Sequence, residues 1–330
     1  MPTPTLAHAD DLGHQIYAID TGFERARFDA AYLVIDSGRA VLIDTGHNAA
    51  VPRILDTLAA LGLSRDAVDW VIPTHVHLDH AGGAGLLMQH LPHARALIHP
   101  HGARHLIDPQ ALVAGACAVY GAEVVRQTYG TIVPIPAERV VQSHDGMEVQ
   151  VGQRPLRLID TPGHARHHHC LWDARSRGWF TGDTFGISYR EFDTTAGPWM
   201  FPSTTPVQFD PAALRHSIDR LMAAEPQRLY PTHFSRVDDV PRVVAQFRAL
   251  LDLWESGALA ADRDTATDPP RLQRLEALVL STLRASARAA GVTLPDDRVR
   301  DLLQMDVTLN AQGIAAWLDR QTGAGRAMRP

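Results

Sequence analysis

The sequence has no lysine, and all 31 basic residues among its 330 are arginine. This absence excludes Schiff-base chemistry, a phosphate-loop lysine and a lysine general base. Only two cysteines occur, Cys117 and Cys170, so a disulfide framework is not indicated and we expect a reducing, cytoplasmic location. No apolar run reaches the ~18 residues of a membrane span, and the N-terminal residues lack the basic and apolar regions of a secretory signal.

Acidic side chains outnumber basic ones, and the formal net charge is −6. The chain therefore has no global positive field, which argues against a nucleic acid or a membrane as a partner. Histidine, in contrast, occurs 18 times. Because imidazole is the commonest metal ligand and the usual proton shuttle, this excess is the first indication of a metal enzyme.

Short apolar strands alternate with helical patterns along most of the chain, which predicts an α/β fold. Near the C-terminal end of this region, an apolar stripe from Val243 to Trp254 predicts a helix that ends at Gly257. A polar, proline-terminated stretch follows and suits a linker. We predict a catalytic domain over residues 1–258, a linker over 259–270 and a helical module over 271–330, with two short helices around 299–303 and 310–318.

A dense group of candidate metal ligands lies in residues 74–83, which read THVHLDHAGG. Within six residues this segment supplies His75, His77, Asp79 and His80. A loop just after a strand can aim such side chains at one point, because its backbone keeps neither a helical nor a pleated period. The density of ligands indicates two ions rather than one.

Further candidate ligands follow later strands of the predicted sheets. His164 comes shortly after one apolar strand, Asp183 directly follows another, and His233 follows a third. Open α/β sheets place their ligands at strand ends, so we expect these side chains to complete a metal site.

In this order, the HxHxDH segment with His164, Asp183 and His233 resembles the metallo-β-lactamase superfamily, in the subgroup that has the ligand set of glyoxalase II. The resemblance spans residues 14 to about 250. It implies an α/β (α+β) fold, a four-layer αβ/βα sandwich, here with a small C-terminal helical module. It also implies that His75, His77 and His164 hold one metal, that Asp79, His80 and His233 hold another, and that Asp183 bridges them. Asp44 matches an aspartate that in this family orients a ligand imidazole or the loop backbone.

The resemblance further implies a binuclear metal-dependent hydrolase that acts on a small molecule. Two divalent ions, zinc by preference and otherwise iron or manganese, would carry a bridging hydroxide that attacks the carbonyl of an ester, thioester or lactone. Asp79 is assigned a second task in handling a proton.

The irregular segment 184–206, which follows Asp183, is expected to form one wall of the substrate pocket. Phe185 and Phe201 would offer apolar surface, Arg190 would bind an anion, and Tyr189 would donate to an oxyanion or leaving group. Packing of these aromatics within the domain is an equal alternative. In glyoxalase II, helices at the C-terminal end help to bind the glutathione part of the substrate, but the arginines of this module do not form a basic cluster of that kind. A lid or a homodimer contact is an equal alternative for these helices.

Two other activities remain as alternatives. A mononuclear iron enzyme that resembles persulfide dioxygenases would use two histidines and one aspartate of the same motifs. A phosphodiesterase or ribonuclease would direct the same two-metal chemistry at phosphorus, although the acidic charge balance argues against an RNA channel.

Overall fold

The computed structural model describes residues 6–204, 206–263 and 268–322. The chain divides into two compact units. The first comprises the described residues of Met1–Asp160, His167–Gly182 and Glu225–Asp238, and the second those of Thr161–Arg166, Asp183–Ala224 and Asp239–Pro330.

The first unit contains a seven-stranded sheet whose strands follow one another in chain order. They are β1 (Ala9–Asp11), β2 (Ile16–Asp20), β3 (Ala30–Asp36), β4 (Arg39–Ile43), β5 (Val68–Ile72), β6 (Arg95–Ile98) and β7 (Val140–Gln142). Strands β1 to β4 pair antiparallel, and β4 to β7 pair parallel. The carboxyl ends of the parallel strands therefore share one edge of this sheet.

A five-stranded sheet completes the first unit. Its strands are β8 (Glu148–Val151), β9 (Arg154–Asp160), β10 (His169–Asp173), β11 (Gly178–Gly182) and β12 (Arg228–Pro231). Strand β10 is antiparallel to both β9 and β11, while β12 is parallel to β11. The carboxyl ends of β9, β11 and β12 thus lie at a common edge, and these are the strands that precede His164, Asp183 and His233.

Two apolar clusters form the core of this unit. One lies between the two sheets, where Val34 and Val41 of the first sheet and Leu158 and Leu171 of the second belong to the same cluster. The other lies on the opposite face of the larger sheet, because successive side chains of a strand point to opposite faces. It is covered by helices α1 (Val51–Ala60), α3 (Ala84–His90) and α4 (Pro100–Ile107). The other α-helices of this unit are α2 (Leu78–Ala81), α5 (Gln110–Tyr120) and α6 (Ala122–Tyr129).

Helices dominate the second unit. They are α7 (Pro211–Met222), α8 (Val240–Arg263), α9 (Arg271–Ala289) and α10 (Asp296–Gln321). Helix α7 begins where Asp210 accepts hydrogen bonds from the N–H groups of Ala212 and Ala213, both at 3.0 Å. Helix α9 packs against both α8 and α10 through apolar stripes such as Leu275, Val279 and Leu283.

The predicted end of a helix at Gly257 is wrong, because α8 continues through it to Arg263. A Cβ atom at Gly257 would lie 2.7 Å from side-chain atoms of Leu278, so this glycine permits the close approach of α9. Residues 259–263 of the predicted linker are consequently helical, and residues 264–267 lie outside the described residues.

The two short helices predicted near the C-terminus are one continuous helix, α10. Its buried face includes the polar residues Asp306 and Asn310, which interrupt the apolar period and made the sequence look like two helices. The two compact units are not divided at residue 258. The predicted catalytic domain, linker and helical module remain a prediction. The predicted α/β fold, with two sheets flanked by helices and helices at the C-terminal end, is confirmed.

Among the described residues, none of the helices combines the length and the apolar character that crossing a membrane requires.

Candidate metal centre

Three imidazoles of the HxHxDH segment are in contact just beyond the end of β5. His75 Nε2 lies 2.8 Å from His77 Nδ1, and the rings of His75 and His80 have their centroids 4.0 Å apart. His77 directly precedes the short helix α2, which contains Asp79 and His80. Local backbone geometry therefore brings these three imidazoles together.

A three-ligand cluster forms where this segment meets the end of β12. Ligand atoms of Asp79, His80 and His233 all lie within 4.8 Å of one another. Asp79 Oδ2 is 3.5 Å from His80 Nε2 and 3.4 Å from His233 Nε2. The other ring nitrogen of His233 faces the carbonyl of Phe28 at 3.4 Å, which turns Nε2 toward the cluster.

The charge on Asp79 is matched by its neighbours. Burial alone would raise the pKa of this carboxyl, but the imidazoles of His80 and His233 outweigh burial and hold the pKa well below its usual range. The carboxylate is therefore ionised at neutral pH, as a metal ligand must be.

Asp44 directly follows β4 and interacts with several residues around this cluster. Its fully buried carboxylate accepts hydrogen bonds from the Thr74 N–H at 2.6 Å and from the Thr232 hydroxyl at 2.6 Å. It also lies 3.0 Å from His80 Nδ1. An imidazole that donates Nδ1–H to a carboxylate keeps Nε2 available as a ligand. Asp44 thus sets the tautomer of His80.

The other two predicted ligands lie in the second unit and are adjacent there. His164 Nε2 is 3.4 Å from Asp183 Oδ2, and His164 Nδ1 lies 3.0 Å from the carbonyl oxygen of Ser203. Gly163, with a φ of 138°, precedes His164, and a Cβ atom at Gly163 would lie 2.3 Å from the Cα of Leu214 in α7. Only glycine lets the chain pass this close to the helix.

The donor set fits a divalent transition metal. It consists of imidazole nitrogens and carboxylate oxygens, which zinc accepts and which iron and manganese also accept. Neither cysteine contributes a thiolate: Cys170 is buried in β10, where its thiol donates to the carbonyl of Thr181, and Cys117 lies on α5. The residues present are therefore those that a metal centre of this kind needs.

Asp29 is a buried carboxyl near this centre that sequence reasoning missed. It is fully buried directly before β3, whose first residue, Ala30, donates its N–H to the carbonyl of Thr232, next to His233. Thr21 Oγ1 lies 3.4 Å from Asp29 Oδ2, and Oδ1 has no hydrogen-bond partner among the described residues. Burial raises the pKa of Asp29 to about 8. No local sequence pattern distinguishes this aspartate.

The predicted substrate residues pack within the second unit. Tyr189 is buried and donates its hydroxyl proton to Asp306 Oδ1 at 3.0 Å. Phe185 and Phe201 are also buried, whereas Arg190 is partly exposed and lies 3.3 Å from Asp193 Oδ2. These contacts correspond to the packing alternative, and roles of the four residues toward substrate remain predictions.

Several other histidines surround the cluster or line a separate cavity. The rings of His167 and His168 stack on His75, with centroids at 6.1 and 4.9 Å. A cavity of about 220 Å³ in the first unit is lined in part by His99, whose Nε2 lies 2.9 Å from Asp160 Oδ1, and by His169. The histidine excess is thus only partly explained by the predicted ligands.

Known proteins are similar to this chain in sequence. The chain is 25% identical over 248 residues to an atrochrysone carboxyl ACP thioesterase of Aspergillus chevalieri (75% of this chain and 64% of the relative). It is 28% identical over 192 residues to a hydroxyacylglutathione hydrolase of Aeromonas salmonicida (58% and 55%). It therefore spans less than two thirds of the length of either relative.

A solved structure gives the same picture at the level of the fold. The first crystal structure of an archaeal metallo-β-lactamase superfamily protein, from Sulfolobus tokodaii, superposes with a TM-score of 0.63 at 21% identity, covering 92% of this chain and 98% of that one. The family model of the metallo-β-lactamase superfamily matches residues 25–233, which include every predicted ligand. The chain belongs to the metallo-β-lactamase superfamily.

Proposed function

We propose that this chain is a binuclear zinc hydrolase that cleaves a thioester or a related ester or lactone of a small molecule. The observation that carries the proposal is the cluster of Asp79, His80 and His233, whose ligand atoms lie within 4.8 Å of one another. Membership in the superfamily and the names of two relatives, an ACP thioesterase and a hydroxyacylglutathione hydrolase, support hydrolysis and favour the thioester.

In this proposal the ligand set combines the HxHxDH segment with residues that follow three strands of the five-stranded sheet. Asp183 directly follows β11 and His164 follows β9, and the carboxyl ends of both strands share an edge with that of β12, which precedes His233. We infer that His75, His77 and His164 hold one ion, that Asp79, His80 and His233 hold the other, and that Asp183 bridges the two.

The protein residues would bind and orient, and the ions would supply the reactivity. When bound, two divalent ions lower the pKa of water to near ~7 and polarise a carbonyl oxygen. The chain contributes two carboxylates against four positive charges, so the site keeps a positive charge to meet a developing oxyanion. We assign Asp79 a second task in proton transfer, because its side chain remains 24% exposed beside the imidazoles.

The full ligand set favours two metals over the mononuclear iron alternative, which needs only part of it. The proposal includes a small molecule as substrate and a cytoplasmic location, and it includes neither a nucleic acid nor a membrane as a partner.

The test compares the wild-type chain with Asp183→Asn. We expect about two ions per wild-type chain, and at least ~100-fold lower turnover together with reduced metal content in the variant. Asp56→Asn, at an exposed position of α1, is the matched control and should change neither. Metal content is measured by plasma mass spectrometry, and turnover on matched thioester, ester and lactone substrates.

Three results would oppose the proposal. Near-normal kinetics of Asp183→Asn would remove the bridging role. One iron per chain with oxygen consumption on glutathione persulfide would replace hydrolysis by the dioxygenase activity. Salt-sensitive RNA cleavage would support the phosphodiesterase alternative.

A further inference from the structure

The C-terminal helix α10 carries buried polar residues that contact the segment leading away from Asp183. Asp306 and Asn310 lie four positions apart, so they share one face of the helix. Asp306 is 5% and Asn310 is 2% exposed. Buried polar side chains at such positions cost free energy unless they are hydrogen-bonded, and both of these are bonded to one segment, residues 184–204.

Asn310 holds Thr204 at two points. The backbone N–H of Thr204 donates to Asn310 Oδ1 at 2.8 Å, and the Thr204 hydroxyl donates to the carbonyl oxygen of Asn310 at 3.0 Å. Thr204 is itself 4% exposed. Two hydrogen bonds at one buried residue fix the position of its peptide, and with it the carbonyl of the preceding residue, Ser203.

The carbonyl of Ser203 is the group that faces His164. It lies 3.0 Å from His164 Nδ1, which donates because a carbonyl can only accept. That hydrogen bond places the proton on Nδ1 and leaves the lone pair of Nε2 toward Asp183, 3.4 Å away. The hydroxyl of Ser203 in addition lies 3.5 Å from Asp183 Oδ2.

We propose that Asn310 is a positioning residue of the metal centre, acting through Thr204 and the Ser203 carbonyl on the imidazole of His164. This inference rests on the proposed function, because it takes His164 and Asp183 as ligands. It gives the C-terminal helix a role that neither a lid nor a dimer contact provides: α10 fixes the tautomer and orientation of one ligand. Groups that orient a metal ligand in this way typically change metal affinity by about 10–100-fold.

A second hydrogen bond between the same segment and a C-terminal helix offers a matched control. Trp199 Nε1–H donates to Ser286 Oγ of α9 at 3.0 Å, and Trp199 is fully buried. Ser286→Ala therefore removes a partly buried hydrogen bond of similar length from the same segment, but four residues away from Ser203. If Asn310 acted only on stability, the two variants would behave alike.

The experiment titrates metal-free, full-length protein with Zn²⁺ against a chromophoric chelator, for the wild type, Asn310→Ala, Asn310→Asp and Ser286→Ala. We expect Asn310→Ala to bind one of two ions about 10–100-fold more weakly and the other unchanged. Asn310→Asp keeps an acceptor for the Thr204 N–H and should restore affinity to within a few-fold. Ser286→Ala should bind both ions as the wild type does.

The outcomes separate this inference from the proposed function. A wild type that binds fewer than two ions contradicts the proposed function. A wild type that binds two ions, with Asn310→Ala unchanged or weakened no more than Ser286→Ala, overturns the inference alone. If Asn310→Ala does not fold, Asn310→Leu decides: it keeps a side chain of similar size but removes the acceptor of the Thr204 N–H, so we expect weaker binding of the same single ion, and unchanged binding overturns the inference.

Discussion

Replacing Asp44 with asparagine should weaken metal binding without disturbing the backbone. Asp44 has a φ of 58°, a conformation that asparagine tolerates well and most other residues do not. The amide has nearly the same shape as the carboxylate, so packing around this fully buried side chain is preserved. What changes is that one acceptor oxygen becomes an NH₂ donor.

Either orientation of the new amide creates a conflict between donors. With NH₂ at the Oδ1 position, the Thr74 N–H, now 2.6 Å from Oδ1, loses its acceptor. With NH₂ at the Oδ2 position, the Thr232 hydroxyl can rotate to accept, but His80 must release its Nδ1 proton and carry it on Nε2 instead. A protonated Nε2 cannot bind a metal, so this second orientation removes His80 as a ligand.

The magnitude follows from these two choices. A buried donor left without an acceptor costs about 1–3 kcal/mol, so we expect the metal-free variant to lose about that much free energy of unfolding. Loss of an orienting carboxylate typically lowers metal affinity by about 10–100-fold, which corresponds to about 1.4–2.8 kcal/mol. Denaturant titration of the metal-free protein measures the first quantity, and chelator competition with Zn²⁺ measures the second.

Asp173→Asn is the matched control for Asp44→Asn. Asp173 is equally buried, and it accepts hydrogen bonds from Arg154 at 2.8 and 2.5 Å within the first unit. It should lose stability and keep its metal affinity. If Asp44→Asn retained wild-type affinity for both ions, or if both variants lost affinity in proportion to stability, the assignment of Asp44 as the group that orients His80 would be refuted.

Two further predictions concern buried charges of the first unit. Burial lowers the pKa of His169 to about 3. Below pH ~6.5 the imidazole is therefore protonated in the unfolded chain but stays neutral in the folded chain. The free energy of unfolding should consequently fall by about 2 kcal/mol on acidification to pH 5. His169→Gln should remove this slope, which denaturant titrations at pH 7 and 5 detect; parallel pH curves would contradict it. Arg154→Met leaves the fully buried Asp173 carboxylate without its guanidinium and should cost about 3–5 kcal/mol by the same measurement. The double variant Arg154→Met with Asp173→Leu should recover much of that loss, and a double variant as unstable as the single one would count against this account.

The ligand segments could be predicted because each chemically distinctive residue stands next to a recognisable strand. Strands β5 and β12 are short and mostly apolar, and each leads into the same three residues, Pro-Thr-His, at 73–75 and 231–233. The histidines are predicted ligands, whereas the threonines have no predicted role. Both threonine hydroxyls bind Asp44, so the repeated tripeptide was a signal for the aspartate's partners that sequence reasoning overlooked.

Other parts of the site depend on contacts that leave no local pattern. Asp29 is an ordinary aspartate in the sequence, and it becomes buried only because β3 begins beside the residues that follow β12, about 200 positions later. At Gly257 a local pattern is present, but it predicts the wrong structure. A glycine after an apolar stripe usually ends a helix, whereas here its missing side chain permits the close approach of a neighbouring helix. Local propensity gave way to tertiary packing in both cases.

The groups that orient two of the predicted ligands, His80 and His164, differ in how far along the chain they lie from the ligand motifs. His80 is oriented by Asp44, whose other partners, Thr74 and Thr232, are themselves chain neighbours of predicted ligands. His164 is oriented by a backbone carbonyl whose position depends on Asn310, 106 residues beyond Thr204. A carbonyl brings no charge of its own, so its effect depends entirely on where the surrounding chain holds it. The first support can therefore be found by searching near the motifs. The support of His164 can be found only once α10 is known to be one continuous helix. The buried polar residues of α10 interrupt its apolar pattern in the sequence, and these same residues contact the segment after Asp183.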